Sequence, residues 1–509
     1  MVFVIYYGLI IFILEVRSIM SQGTGREDEA LERGLKLRHV NMIAIGGAIG
    51  TGLFVGTGGS LSEGGAGGIL LGYCLISVMI FFSMTSLGEM STYMPVSGAF
   101  ETYSTRFVSP AFGFAMGLNY WFNWAVTIAC ELEAATLVLR FWFPHANSLI
   151  WSVAFLLFLF LLNWFSVGSF GEAEFWFAGI KVVTIVVFLV VGVLMIAGVM
   201  GGNSPGFSNW NVGKGAFPNG VGGMIKVFLI AGFSFQGTEL IGIMAGEAKN
   251  PEEAVPKAVK AIFFRILLFY IGSIIVIAFL LPYTDPSLLK TGVENISVSP
   301  FTLVFQRAGI AIAAAIMNAV ILTSVLSAGN SAIYAGSRVL YAMATERKLP
   351  EAFAKTNKRG VPYVSLIFTT VFGLLSFFGS FVGEGTLYLW MVNTIGISGF
   401  ITWFGIGLDH YRFRQAFKLQ GKDESALKYK AKWFPVGPWI CMLMCAFVVL
   451  FQWYANGVSD FQSFMATYIG LILFIVLWVG WRLKHHDKLV PLAEMDLTPD
   501  QGNIKERAK

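Results

Sequence analysis

Long apolar runs alternate with short polar interruptions along the chain, and the runs carry no amphipathic period. Val182–Met200 and Ile266–Leu281 are apolar on nearly every face. A hydrocarbon core about 30 Å thick takes a helix of about 20 such residues. Twelve segments of this kind are predicted, at 42–62, 69–92, 112–137, 149–168, 174–199, 221–246, 262–282, 308–341, 363–382, 386–408, 437–455 and 461–481. The expected fold class is therefore all-α, a membrane protein of twelve transmembrane helices. Between segments, Gly201–Gly220 and Pro282–Pro300 read as longer loops, the second with the turn signal Thr284-Asp285-Pro286. Pro251–Lys260 predicts a short amphipathic helix at the interface.

Composition supports the pattern. The 509 residues are 56% hydrophobic and 13% charged, with a mean hydropathy of +0.70. A soluble domain of this length needs more charge to solvate its surface. The net charge of +5 does not point to nucleic acid, because its placement follows the membrane. With residues before His39 on the inside, the inner loops and helix ends hold 28 of the 35 Lys and Arg residues. The outer loops hold Arg140, Lys214, Lys290 and Arg307. Both termini are expected in the cytoplasm by the positive-inside rule. The expected organisation is a cytoplasmic tail over 1–38, one transmembrane domain over 39–482 and a cytoplasmic tail over 483–509. Residues 1–19 read as an extension before a start at Met20. Cys74, Cys130, Cys441 and Cys445 all fall within predicted spans and read as small buried hydrophobes.

Two segments are interrupted. Gly46-Gly47-Ala48-Ile49-Gly50-Thr51-Gly52 places four glycines in seven residues of the first, enough to weaken the helix over more than one turn. Backbone groups freed at membrane depth persist only where they line a cavity or bind something. N–H groups at Ile49–Gly52 would seat a carboxylate, and the carbonyls opposite could accept from an ammonium group. Those two needs together describe an α-amino acid. Gly232-Phe233-Ser234-Phe235-Gln236-Gly237-Thr238-Glu239 interrupts the sixth segment in the same way. Breaks in segments one and six are the positions expected of inverted repeats, one to five and six to ten.

Intramembrane charges come next, since each costs roughly 2.5–3.5 kcal/mol at the bilayer centre. Lys181, Glu131 and Glu239 are the functional candidates, whereas Glu247 sits at an inner end where it could cap or pair. Tyr120, Trp124, Thr127 and Glu131 share one face of the third segment at i, i+4, i+7 and i+11. They form either an aromatic packing stripe or one wall of a pocket. Asn318, Thr323, Ser324, Ser327, Asn330 and Ser331 make a polar run in the eighth segment, and Asn393 and Thr394 lie in the tenth. Either interhelical hydrogen bonding or a site accounts for these. No nucleotide motif, metal cluster or nucleophile–His–acid set is visible, which argues against an enzyme.

At these residues the chain resembles the amino acid–polyamine–organocation superfamily, and within it the bacterial amino acid permeases, from about Gly34 to Trp481. The stretches that carry the resemblance are IAIGGAIGTGLFVGTG (43–58), MTSLGEMSTYMPVSGAF (84–100), GLNYWFNWAVTIACELEAA (117–135), GFSFQGTELIGIMAGEAKNPEEAVPKA (232–258) and SVLSAGNSAIYAGSRVLY (324–341). It looks most like the lysine-specific permeases at NYWFNWAVT (119–127), GSFGEAEFWFAGIKVV (168–183), LLPYTDPSLL (280–289) and NISVSPFTLVFQ (295–306).

The resemblance implies a five-plus-five inverted repeat of the leucine-transporter type with two further helices. It also implies proton-coupled uptake of an amino acid, L-lysine first, across the bacterial inner membrane by alternating access. No cofactor is implied beyond the proton, and the partners implied are the small-molecule substrate and membrane lipid, with the protein a monomer or homodimer. Ala48, Ile49, Gly50, Thr51 and Gly52 would hold the substrate's α-groups, with Phe233 and Ser234, and Phe235 would gate the pocket. Tyr120, Trp124 and Asn393 would complete the substrate site. Lys181 would take the place of a sodium ion and exchange a proton, with Glu131 and Glu247 assisting. A desolvated lysine ammonium needs a carboxylate, for which Glu239 is the first candidate and Glu131 the second. Gly292 and Asn295 stand where related permeases can carry aspartates. Alternatives are a permease for arginine, another cationic amino acid or a neutral one such as γ-aminobutyrate, and a lysine-binding sensor.

Overall fold

A computed structural model describes residues 35–47, 49–96, 98–145, 147–202, 204–288, 299–310, 312–455 and 457–499. The expectations for residues 1–34, Ala48, Lys290, Gly292 and Asn295 lie outside the described residues. The elements in chain order are α1 (Leu37–Met42), a π-helical turn (Ile43–Gly47), α2 (Thr51–Phe54), α3 (Gly56–Tyr93), α4 (Phe100–Phe107), α5 (Pro110–Leu139), α6 (Ser148–Phe165), α7 (Val167–Ile196), α8 (Gly220–Phe235), α9 (Leu240–Glu247), α10 (Pro251–Arg265), α11 (Gly272–Leu280), α12 (Pro300–Arg307), α13 (Ala313–Thr345), α14 (Tyr363–Val371), α15 (Gly379–Val382), α16 (Glu384–Leu419), α17 (Val436–Ala455) and α18 (Phe461–His485). Among the described residues the only extended pairing is a single bridge between Leu35 and Ala248.

Ten helical stretches among the described residues are long and apolar enough to cross a membrane. The first predicted segment is divided among α1, the π turn, α2 and the start of α3. The ninth is a shorter apolar stretch, Tyr363–Phe378. α3 is interrupted at Gly65, where φ is 69°. A Cβ there would stand 2.3 Å from Pro218 Cδ and 2.6 Å from Ala216 O, so only glycine fits. Pro251–Lys260 does not stop as a short interfacial helix. It continues through α10 and α11 as one apolar stretch, Pro251–Leu280. Pro251 occupies the first turn, where a missing N–H costs nothing, and no glycine intervenes before Gly272.

α5 forms the axis of the bundle. It starts at the Ser109 cap, whose Oγ accepts from Phe112 N at 3.2 Å, and its apolar window is wholly buried. α13 packs along one side of it and α16 along another. Asn119 and Asn123 on α5 donate to Ser398 O and Ile395 O on α16, at 3.0 and 3.2 Å, which fixes the register of the two helices. α6 and α7 form the rim. Ile150 and Val183 are each 63% exposed there, as surfaces facing lipid tails should be.

Buried charges at the end near Tyr93 and Leu419 are paired. Glu89 accepts from Ala431 N at 2.6 Å and lies 3.3 Å from His410 and 3.4 Å from Arg414. In the adjoining loop, a hydrogen bond from Lys430 and the charge of Arg414 hold the Glu424 carboxyl below the usual carboxylate range.

Candidate functional site

The two glycine-rich breaks lie against each other. After the π turn the chain leaves helical geometry at Gly50 (φ −131°, ψ −152°) and re-enters it at Thr51. α8 ends at Phe235, and Gly237 takes a φ of 88° before α9 begins. A Cβ on Gly52 would lie 2.5 Å from Ser234 Cα, so the glycine is what allows the breaks to touch. Gly46 makes a similar close approach to Ala178 on α7, where a Cβ would meet another at 2.6 Å.

The carbonyls released by the first break are met by protein donors. Arg265 Nη1 donates to Ala44 O at 2.6 Å, Lys181 Nζ to Gly46 O at 3.1 Å and Ser324 Oγ to Ile49 O at 2.7 Å. Three helices, α10, α7 and α13, thus supply what the interrupted helix cannot. At the second break Tyr270 OH donates to Ser234 O at 2.8 Å, and Tyr73 OH pairs with Ser234 Oγ at 3.0 Å.

Between the breaks is a cavity of about 30 Å³, lined chiefly by Gly50, Gly52, Trp124, Glu131, Phe233 and Ser331. Thr127, Ser234, Gln236 and Ala328 complete its wall. Trp124 Nε1, Glu131 Oε2 and Ser331 Oγ are buried there without a partner in hydrogen-bond geometry. Glu131 Oε1 accepts from Thr51 Oγ1 at 3.2 Å, which leaves its second oxygen open. An unpaired buried polar atom costs roughly 1–3 kcal/mol. Three around one cavity therefore favour a polar ligand that satisfies them.

The other candidates fall into distinct places. Glu239 is not on the cavity wall. Its oxygens accept from Tyr120 OH (3.4 Å), Gly237 N (3.2 Å), Trp403 Nε1 (3.2 Å) and Thr238 Oγ1 (3.4 Å). Tyr120 stands behind Trp124 in an edge-on contact at 6.0 Å. Phe235 faces away from the cavity, stacked on Tyr270 at 4.2 Å. Phe233 and Phe235 are about 200° apart around the last turn of α8, so one of them at most can face the cavity, and it is Phe233. Glu247 is buried against Arg338 Nε and Tyr334 OH, both at 2.9 Å, and is remote from the cavity wall. Asn393 is half-buried on α16 and is not part of the lining.

Two buried groups escaped the sequence reading. Arg265 was hidden one turn inside an apolar run. Glu174 lies seven residues before Lys181, two turns back on the same face, and that spacing is the signal that could have found it.

The family model described as "Amino acid permease" matches residues 39–490. The lysine-specific permease LysP of Escherichia coli (strain K12) is 52% identical over 94% of this chain and 98% of its own length. The lysine-specific permease LysP of Lactococcus lactis subsp. cremoris (strain MG1363) is 46% identical over 95% and 96%. The histidine permease HisP of the same organism is also 46% identical, over 92% and 99%. Matched over nearly its whole length, with two apposed helix breaks around a polar cavity, this chain belongs to the amino acid permease family.

Proposed function

We propose that this chain imports L-lysine across the bacterial inner membrane in symport with protons, by alternating access around the cavity between its two breaks. The observation that carries the reading is the set of three unpaired polar atoms, Trp124 Nε1, Glu131 Oε2 and Ser331 Oγ, on residues that line one cavity. The first turn of α2 would take the α-carboxylate, with Gly50 and Gly52 leaving room for it. The carbonyls of Ala44, Gly46 and Ile49 already have donors, so the ammonium groups turn to carboxylate oxygens. Glu131, with one oxygen open, is a better partner than Glu239, whose two oxygens already accept from Tyr120, Gly237 N and Trp403. Glu239 then acts one layer out, through Tyr120, on the position of Trp124. Lys181 is the coupling site, since its ammonium ties the first break to α7 and α13 through Gly46 O and Ser327 Oγ.

In this reading the ten apolar stretches, the broken first span and the short ninth make twelve spans. Spans one to five and six to ten form inverted repeats, with cytoplasmic tails at both ends. The names of the two lysine-specific relatives support lysine. The histidine permease at the same identity as one of them supports a second reading, histidine.

The test is uptake of radiolabelled lysine by proteoliposomes. An outside-acid gradient drives accumulation and the reversed gradient does not. Accumulation indifferent to the gradient removes the proton, and a competition panel in which histidine displaces label better than lysine does moves the assignment to histidine.

A further inference from the structure

Lys181 does not end at Gly46. Its ammonium also donates to Ser327 Oγ at 2.8 Å, and the Ser327 hydroxyl in turn donates to Glu174 Oε1 in a short hydrogen bond. Glu174 Oε2 accepts from Asn330 Nδ2 at 3.3 Å. Asn163 Nδ2 donates to Asn330 Oδ1 at 2.8 Å, which fixes which way the Asn330 amide points. Both Glu174 oxygens therefore accept, as an ionised carboxylate must. The donors along the line from Lys181 to Glu174 all run in one direction. Lys181 and Glu174 are each 0% exposed, so a single hydroxyl bridges a buried ammonium and a buried carboxylate. The other charges nearest this pair are Glu131, bonded to Thr51, and Arg265, bonded to Ala44 O.

The two groups are spaced along the transport axis. Seven residues of helix separate their backbones by about 10 Å, and the two side chains converge on the Ser327 hydroxyl. The Glu174 end of α7 is the end beside α1, where His39 Nε2 lies 3.0 Å from Glu172 Oε1. Under the proposed topology that is the cytoplasmic side.

We propose that Glu174 is the proton acceptor for Lys181 and that Ser327 is the relay between them. The inference rests on Lys181 as the coupling site. In the step, an N–H bond of Lys181 breaks as an O–H bond forms at Ser327 Oγ. The original Ser327 O–H bond breaks as one forms at Glu174 Oε1. Ammonium becomes amine, carboxylate becomes carboxylic acid, the serine is regenerated with its hydroxyl turned round, and the pair's net charge is unchanged. The proton has moved across two consecutive hydrogen bonds, from Lys181 Nζ to Glu174 Oε1, without crossing the substrate cavity. The Ser327 hydroxyl then donates to the neutral Lys181 amine, so a charge-assisted bond holding that side chain becomes a weaker neutral one.

The experiment compares two rates in proteoliposomes of the full-length protein with radiolabelled lysine. One is uptake driven by an outside-acid gradient, and the other is counterflow against unlabelled lysine at equal pH, which requires no net proton transfer. In Glu174→Gln the ratio of driven uptake to counterflow should fall tenfold or more. Ser327→Ala should reproduce that fall, and it decides the matter alone if Glu174→Gln does not reach the bilayer folded. A Glu174 that serves only as a structural counter-ion would lower both rates together. A ratio that falls by less than threefold overturns the inference. A wild-type protein whose uptake ignores the gradient overturns the coupling reading itself, whereas gradient-driven wild-type uptake with an unchanged ratio in the variants overturns Glu174 alone.

Discussion

Glu131 and Glu239 are both buried acids on the inside of a membrane bundle, and their hydrogen bonds separate them. Glu239 has its donors already; Glu131, on the cavity lining, has an oxygen to spare. Loss of a hydrogen bond to a charged group costs about 1.5–3 kcal/mol, and 1.4 kcal/mol is tenfold in affinity. Glu131→Gln should therefore weaken lysine binding roughly tenfold or more, as measured by isothermal titration in detergent. Glu239→Gln keeps most of its partners and should weaken it less. The reverse order would return the ammonium to Glu239. Lys181→Ala leaves Glu174 a buried carboxylate without its cation, a change that costs about 3–5 kcal/mol in comparable pairs. That variant should lose both thermal stability and driven uptake, and Lys181→Ala combined with Glu174→Gln should recover the stability without the uptake. A double variant as unstable as the single one would show that the pair is not coupled.

At the scale of elements, the breaks depend on glycine at points of contact. Gly52→Ala drives a methyl into the Ser234 backbone, which cannot yield as a flexible side chain would. The variant should abolish transport while leaving much of the fold, seen as normal membrane insertion with no measurable lysine binding; near-normal binding would show that the breaks can separate freely. Both breaks were legible because glycine clusters inside apolar runs have few other uses. Composition does not reveal which of two alternate aromatics turns toward the cavity: Phe233 lines it, and Phe235 stacks on Tyr270. The donors of Ala44, Gly46 and Ile49 were invisible because they come from α10, α7 and α13, far along the chain. The partner of Glu247 was not legible, because Arg338 lies 91 positions further along the chain. The amphipathic stretch 251–260 read as a separate helix because charge marks its first turns. Charge there reflects the membrane surface, and the backbone continues through it.

On the scale of the whole molecule, the cavity is far smaller than the roughly 300 Å³ at which ligand pockets begin. Binding therefore requires a change of shape. Phe233 and Trp124 are the bulky walls, one on the broken sixth segment and one on the axial helix. Lysine should slow tryptic cleavage at the basic loop between α16 and α17, and a non-binding Glu131 variant should lose that protection. Cleavage unaltered by lysine in the wild type would argue against a change that reaches this loop. The same closure has an electrical side. A space of about 30 Å³ between touching helices is too small to hold a file of water from one face to the other. On the proposed function the bundle in this state should act as an insulator, with protons crossing only when carried, so that a membrane crowded with idle copies keeps its voltage. Phe233→Ala, by widening that space, is the change to watch for a substrate-independent leak current.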